Sequence, residues 1–133
     1  MHRYIFPGTT LMTEKENFEI EGRFWVMHNG SVFLGEGRCS LLERIHNLGS
    51  IKKAAAEMDM SYRKAWRLLA SMNRQSPSPL VEVTIGGASG GGTRLTPYCL
   101  SMIKEYRRMN LLIKKEFKNF TFRVPQQVEQ PAL

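Results

Sequence analysis

The chain has 133 residues, of which 42% are hydrophobic, and a formal net charge of +7. This composition gives room for one domain with a modest core, and it excludes both wholesale disorder and a helix that crosses a bilayer. The N-terminus is not a plausible secretory signal, because Pro7 and Gly8 interrupt its one apolar stretch. We therefore expect a cytoplasmic protein in which Cys39 and Cys99 are buried free thiols.

The positive charge is confined to the middle and the end of the chain. Residues 1–49 hold five Lys or Arg against six Glu. Residues 50–75 hold six cations against two acids, and residues 94–118 hold seven against two. This asymmetry indicates a polyanionic partner, with a nucleic acid as the first candidate and an acidic membrane surface as the second.

The first predicted element is a β-hairpin over residues 23–34. Its two β-prone runs are separated by Asn29-Gly30, which supplies the positive φ angles of a type I′ turn. We expect residues 1–19 to be an N-terminal arm, residues 20–120 to be the domain, and residues 121–133 to be a C-terminal tail.

Three helices are predicted next. Leu41, Leu42, Ile45 and Leu48 recur at helical spacing, and Gly49 ends that helix. Ser50 is a suitable N-cap for a short second helix, whose apolar face is formed by Ile51, Ala54, Ala55 and Met58. After a break at Asp59 and Met60, Ser61 caps a third helix that ends at the prolines of residues 76–79.

The remaining elements are a second hairpin and a long helix. Residues 80–85 read as a strand, residues 86–92 as a glycine-rich loop, and residues 93–96 as the returning strand. Pro97 then stands at the favoured first position of a helix that runs to about residue 119. The predicted fold is mainly α with small β-hairpins, an α+β winged helix-turn-helix.

The third helix has two contrasting faces. Its predicted buried stripe contains Tyr62, Ala65, Trp66, Leu69 and Met72, with Trp66 in the core between the first and third helices. The opposite face carries Arg63, Lys64, Arg67, Ser71 and Arg74. Like charges at this spacing repel unless something anionic neutralises them, so a helix in the DNA major groove is favoured over a merely solvated basic face.

Two neighbouring segments support contacts with the phosphate backbone. Lys52 and Lys53 lie in the first turn of the second helix, where a cation gains nothing from the helix dipole. A nucleotide-binding loop at residues 86–92 is disfavoured, because no Gly-Lys-Ser/Thr follows. We expect a wing tip there, with Thr93 and Arg94 as phosphate contacts.

Other function classes find less support. The histidines are isolated and Asp59 is the one aspartate, so the sequence indicates no catalytic residues, no metal site and no cofactor. RNA is disfavoured because its major groove does not admit a recognition helix. The alternative to a DNA-binding protein is an interaction adaptor whose basic face docks an acidic protein.

Residues 41–73 (LLERIHNLGSIKKAAAEMDMSYRKAWRLLASMN), with PLVEV and GGASGGGTRLT after them, resemble the N-terminal winged helix of ModE-type molybdate-responsive regulators. That domain is similar in turn to the DNA-binding domain of LysR-type regulators. The resemblance covers residues 20 to about 120, and it implies a sequence-specific regulator of transcription with a recognition helix at residues 61–74. It implies that Ser61, Tyr62, Arg63 and Lys64 read bases or backbone, and that Arg67 contacts a phosphate.

The long helix is predicted to form a homodimer. Apolar residues recur from Tyr98 over about five turns, which is longer than a small domain's own core can cover. The dimerisation residues would be Tyr106, Ile113 and Phe117, and the target would be an inverted repeat in double-stranded DNA. Molybdate-sensing members carry a further C-terminal β-rich domain, whereas this chain ends at Leu133. No small-molecule effector and no membrane partner are therefore evident.

Overall fold

The computed structural model describes residues 18–85 and 91–127. Within these ranges the elements follow the predicted order and form an α+β winged helix, which confirms the predicted fold class. None of the described helices is both long enough and apolar enough to cross a membrane. The elements are β1 (Val26–His28), β2 (Ser31–Leu34), α1 (Glu36–Leu48), α2 (Ile51–Glu57), α3 (Tyr62–Gln75), β3 (Val81–Thr84), β4 (Gly92–Leu95) and α4 (Pro97–Asn119).

The turns and caps form where the sequence predicts them. Asn29 and Gly30 have φ angles of 49° and 79°, as the tight turn between β1 and β2 requires. Gly49 ends α1 in the left-handed region, with a φ of 67°. The hydroxyls of Ser50 and Ser61 accept hydrogen bonds from the backbone amides of the third residues of α2 and α3, at 3.1 Å and 3.0 Å.

The core lies where α1, α2 and α3 pack together beneath the second hairpin and the first half of α4. Ala54 and Ala55 of α2 are completely buried or nearly so, which permits the close approach of α3. Cys39 and Cys99 are also buried, and burial raises the pKa of these thiols to about 12 and about 11. The largest fully buried side chains are Leu34, Leu41, Leu42, Ile45, Leu69, Met72 and Leu80.

Two polar side chains attach the first hairpin to the helices. Arg38 of α1 donates to the backbone carbonyl of Val32 at 3.0 Å and to the hydroxyl of Ser71 on α3, also at 3.0 Å. Gln75 donates to the same carbonyl at 2.7 Å. Ser71 is therefore half-buried and bonded within the protein, so its predicted position on the open face of α3 is wrong.

The second hairpin is antiparallel and is attached to the turn between α1 and α2. Its register pairs Glu82 with Arg94 and Val83 with Thr93. The amide of Thr93 donates to the carbonyl of Gly49 at 3.0 Å, and a Cβ at Gly92 would come within 3.3 Å of that carbonyl oxygen. β4 therefore begins directly beside the N-terminus of α2.

Tyr106 on α4 does not lie where the dimer prediction puts it. Its side chain is only 2% exposed, and its ring stacks on that of Phe24 with centroids 4.9 Å apart. Its hydroxyl donates to the carbonyl of Phe24 at 3.4 Å. The prediction of Tyr106 as a dimerisation residue is therefore wrong, because a contact with a residue 82 positions earlier in the chain covers the ring.

Contacts divide the chain into two compact units. The first, Arg23–Leu112, contains both hairpins, α1 to α3 and the beginning of α4. In the second, the rings of Phe18 and Phe122 lie 5.6 Å apart, and Gly22 lies against Phe117. The predicted arm lies largely on residues 1–17, and about half of the predicted tail lies on residues 128–133, outside the described residues, so the predicted boundaries stay predictions.

Candidate nucleic-acid interface

The turn between α2 and α3 sets the direction in which α3 begins. Asp59 adopts a positive φ of 53°, and the amide of Met60 donates to the carbonyl of Ala55 at 3.0 Å. Ser61 then opens α3, and Ala65, Leu69 and Met72 anchor that helix in the core. The side of α3 away from these three residues is consequently presented to solvent.

Cations alone supply the charge on this outer side. Arg63, Lys64, Arg67 and Arg74 are all exposed, as predicted, and α3 contains no acidic residue. None of the four forms an ion pair or a side-chain hydrogen bond with any residue in the ranges 18–85 and 91–127. Their charges are therefore available to a partner.

Three further cations lie close to the start of α2. Lys52 and Lys53 are exposed in its first turn. Arg94 is exposed on β4, one residue beyond the amide that bonds to Gly49. Like the α3 cations, these three make no ion pair with a residue in the described ranges. We call the whole set the basic face: Lys52, Lys53, Arg63, Lys64, Arg67, Arg74 and Arg94.

Two acidic residues, Glu57 and Asp59, lie among these cations in the sequence, and neither forms an ion pair with any of them. Glu57, at the end of α2, accepts a hydrogen bond from Nε of Arg44 on α1 at 3.1 Å. Glu82 stands opposite Arg94 in the hairpin register, but these two side chains form no salt bridge in the structure. The basic face therefore keeps its positive charge.

Thr93 does not belong to this surface. Its side chain is 5% exposed, because alternation along β4 turns Thr93 and Leu95 inward and Arg94 outward. The prediction of Thr93 as a phosphate contact is therefore wrong for the side chain. The tip of the predicted wing, residues 86–90, lies outside the described residues.

The two aromatic residues of α3 are exposed, contrary to the predicted buried stripe. Trp66 is 38% exposed and Tyr62 is 50% exposed, so the prediction of Trp66 as a core residue is wrong. Helical residues advance by about 100° each, which puts Trp66 at the edge of the apolar stripe. Leu68, on the other edge, packs against the core instead.

A pocket of about 590 Å³ lies elsewhere in the first unit, and it is lined by α1, α2 and α4. Its Arg44 is bonded to Glu57, and its Glu43 is bonded to Arg107. His46 of α1 contributes an exposed side chain. The carboxylates and the arginine that line this pocket thus already have partners within the protein, so the basic face is the stronger candidate site.

Comparison with known proteins is informative about this region. No family model matches the chain. The transcriptional regulator ModE of Haemophilus influenzae is 42% identical over 76 residues, which are 57% of this chain and 30% of that protein. The molybdenum transport protein ModE of Azotobacter vinelandii is 41% identical over 78 residues, or 59% and 29% of the two chains.

A third relative carries a more explicit description. The DNA-binding transcriptional dual regulator ModE of Escherichia coli is 37% identical over 86 residues, which are 65% of this chain and 33% of that protein. The matched region is the N-terminal part of these relatives. The chain thus spans about a third of the length of the curated relatives that it matches.

Proposed function

We propose that this chain, whose winged helix belongs to the ModE family, binds double-stranded DNA sequence-specifically and regulates transcription. The basic face carries the proposal: seven exposed cations on α2, α3 and β4 have no acidic partner among the described residues. A surface of one sign fits the dense negative charge of a phosphate backbone. The Escherichia coli relative, a DNA-binding transcriptional dual regulator, supports the same interpretation.

In this proposal, α3 enters the major groove with its N-terminal turn toward the base edges. Arg63 and Lys64 have the length and the donors to bind guanine O6 and N7. Ser61 and Tyr62 lie at the same end of the helix, where they reach base edges or backbone. Arg67 and Arg74 continue the exposed cations along α3 and contact phosphates.

The first turn of α2 and the second hairpin hold the flanking backbone. The hydrogen bond between Gly49 and Thr93 keeps β4 beside α2, so Lys52, Lys53 and Arg94 lie in the same part of the molecule. Phosphate contacts there fix the orientation of α3 without carrying sequence information. We propose that the glycine-rich wing at residues 86–92 lies along the sugar-phosphate backbone of the DNA.

We also propose a homodimer and an inverted-repeat target. Ile113 and Phe117 are half-buried, while Leu111 and Phe120 are 71% and 58% exposed. Large apolar side chains exposed in this number are unusual on a soluble monomer. A second copy, related by a two-fold axis, would cover them and would place two copies of α3 on successive half-sites. A cytoplasmic location is part of the same proposal.

The function is tested by selecting bound duplexes from random DNA and titrating the binding with salt. We expect a recurring sequence, an affinity well above that for random DNA, and a steep linear fall of log K with log salt concentration. A flat salt dependence with no recurring sequence would overturn the proposal and favour the interaction adaptor.

The dimer is tested by sedimentation equilibrium of the intact chain and of Leu111→Glu and Phe120→Glu. Both side chains are exposed in the single chain, so we expect the variants to fold and to become monomers. Leu100→Glu is the matched control, because Leu100 is 40% exposed on the first half of the same helix. A parent protein that remains monomeric at tens of micromolar contradicts the arrangement.

A further inference from the structure

Tyr62 and Trp66 form an exposed aromatic pair on α3 that the basic face does not include. Their ring centroids lie 6.2 Å apart with an interplanar angle of 86°, an edge-to-face arrangement. The side chains are 50% and 38% exposed. Each ring thus holds the other in place while part of both surfaces stays open to solvent.

The pair runs alongside the cations of the same helix. Residues four apart are neighbours on a helix surface, so Tyr62, Trp66 and the exposed Ala70 form one apolar row. Arg63 and Arg67 each follow one member of this row by a single position, and they form the adjacent cationic row. The rows are about 100° apart around the helix, and a groove wide enough to admit the whole helix, such as the major groove of DNA, can contact both.

The major groove of DNA offers one apolar group to such a row. Base edges present donors and acceptors, and thymine alone adds a 5-methyl group. Resting on the proposed function, we propose that Tyr62 and Trp66 select thymine at defined positions by packing against its 5-methyl group. The neighbouring cations hold the rings at the groove by binding phosphates and guanine edges, so charge and apolar contact act on the same half-site.

The test removes the methyl group and nothing else. Duplexes selected by the parent protein are resynthesised with deoxyuridine in place of one thymidine at a time, and affinities are measured at constant salt. Burying one methyl group is worth about a fourfold change in affinity. We expect a loss of about that size at one or two positions in each half-site and no change at the other thymines.

Variants then assign the effect to the rings. In Trp66→Ala and Tyr62→Ala we expect the preference for thymine over uracil at those positions to fall toward one, with the salt dependence retained. Leu100→Ala is the matched control, since it shortens an apolar side chain of similar exposure on α4 and should keep the parent preference. Thermal unfolding of each variant shows whether it is folded.

A measurement on unaltered rings covers the case in which Trp66→Ala fails to fold. The chain has two tryptophans, so Trp25→Phe leaves Trp66 as the one indole reporter. We expect its emission to change more on binding the thymine duplex than on binding the duplex with uracil at the sensitive position. Equal changes overturn the proposal.

Failure of this inference is distinguishable from failure of the proposed function. A parent protein that prefers its selected sequence but binds every uracil-substituted duplex equally well overturns the thymine contact and leaves sequence-specific DNA binding intact. A folded Trp66→Ala that weakens thymine and uracil duplexes equally means that the ring packs on the sugar, which also overturns the proposal. No recurring sequence and no salt dependence would remove the proposed function itself.

Discussion

Arginines in two regions of the first unit have opposite environments. Between α1 and α4, Arg107 donates to Glu36 at 2.7 Å and to both carboxylate oxygens of Glu43. On α3, Arg63 and Arg67 meet no acid in the described part of the chain. The hydrogen bonds that Arg107 donates to Glu43 and Glu36 raise its pKa and engage its charge within the protein, whereas the charges of the α3 arginines are available to a partner.

The difference shows that a count of charges does not locate a binding surface. Residues 94–118 carry a larger excess of cations than residues 50–75. Part of that excess is engaged in structural contacts, since Arg107 bridges two helices and Arg108 pairs with Glu105 at 2.6 Å. In residues 50–75, Glu57 is paired with Arg44 of α1, so the cations of this segment remain available to a partner although their excess is smaller.

The largest expected effect is on stability and comes from Arg107→Ala. This variant leaves Glu36 and Glu43 without their bridge between α1 and α4, and we expect a loss of about 2–3 kcal/mol in the free energy of unfolding. Chemical denaturation measures it, with Arg67→Ala as the control that should unfold like the parent. Equal stability of the two variants would remove the distinction between structural and available arginines.

The next effect is on DNA affinity and comes from Arg63→Ala. We expect a loss of about 1–3 kcal/mol at the selected sequence, because a direct contact with a base edge is removed. Competition with random DNA measures the affinity for non-specific sequences, and we expect this affinity to change less. A loss of the same size on both DNAs would show that Arg63 binds a phosphate instead.

A smaller and sequence-independent effect is expected for Arg67→Ala. Losing one phosphate contact should weaken all DNA binding to a similar degree and lower the slope of log K against log salt concentration by about 1. Lys104→Ala removes the same charge from an exposed position on α4 and serves as the control. If both variants change the slope alike, the effect comes from net charge and not from the basic face.

The last effect is confined to alkaline pH and concerns Cys39, whose thiol lies near the Arg107 bridge. Burial raises its pKa to about 12 from an ordinary value of 9.0, although the charge of Arg107 acts in the opposite direction. The folded state therefore keeps a proton that the unfolded state loses, so stability is full below pH 9 and falls as the pH rises toward about 12. Melting temperatures across that range should fall less steeply for Cys39→Ala, and parallel curves would contradict the assignment.

The sequence by itself determined the local elements and the identity of the basic face. Asn29-Gly30, Gly49, Ser50 and Ser61 fix a turn, a helix end and two helix starts through backbone preferences that need no distant partner. The exposed cations of α3 were equally predictable, because they lie opposite an apolar stripe and burying an unpaired charge is costly.

Only the tertiary structure decided which residues at the edges of these patterns are buried and which are exposed. Helical periodicity cannot tell whether Trp66 or Leu68 completes the stripe of α3, because the neighbouring elements cover only one edge. Thr93 is buried because the bond of its amide to Gly49 holds β4 against the helices, so that the inward-facing side of the strand is covered, and Tyr106 is buried because Phe24 stacks on it. These outcomes depend on contacts between residues that are far apart in the chain, and a local sequence pattern does not show which distant residues come together.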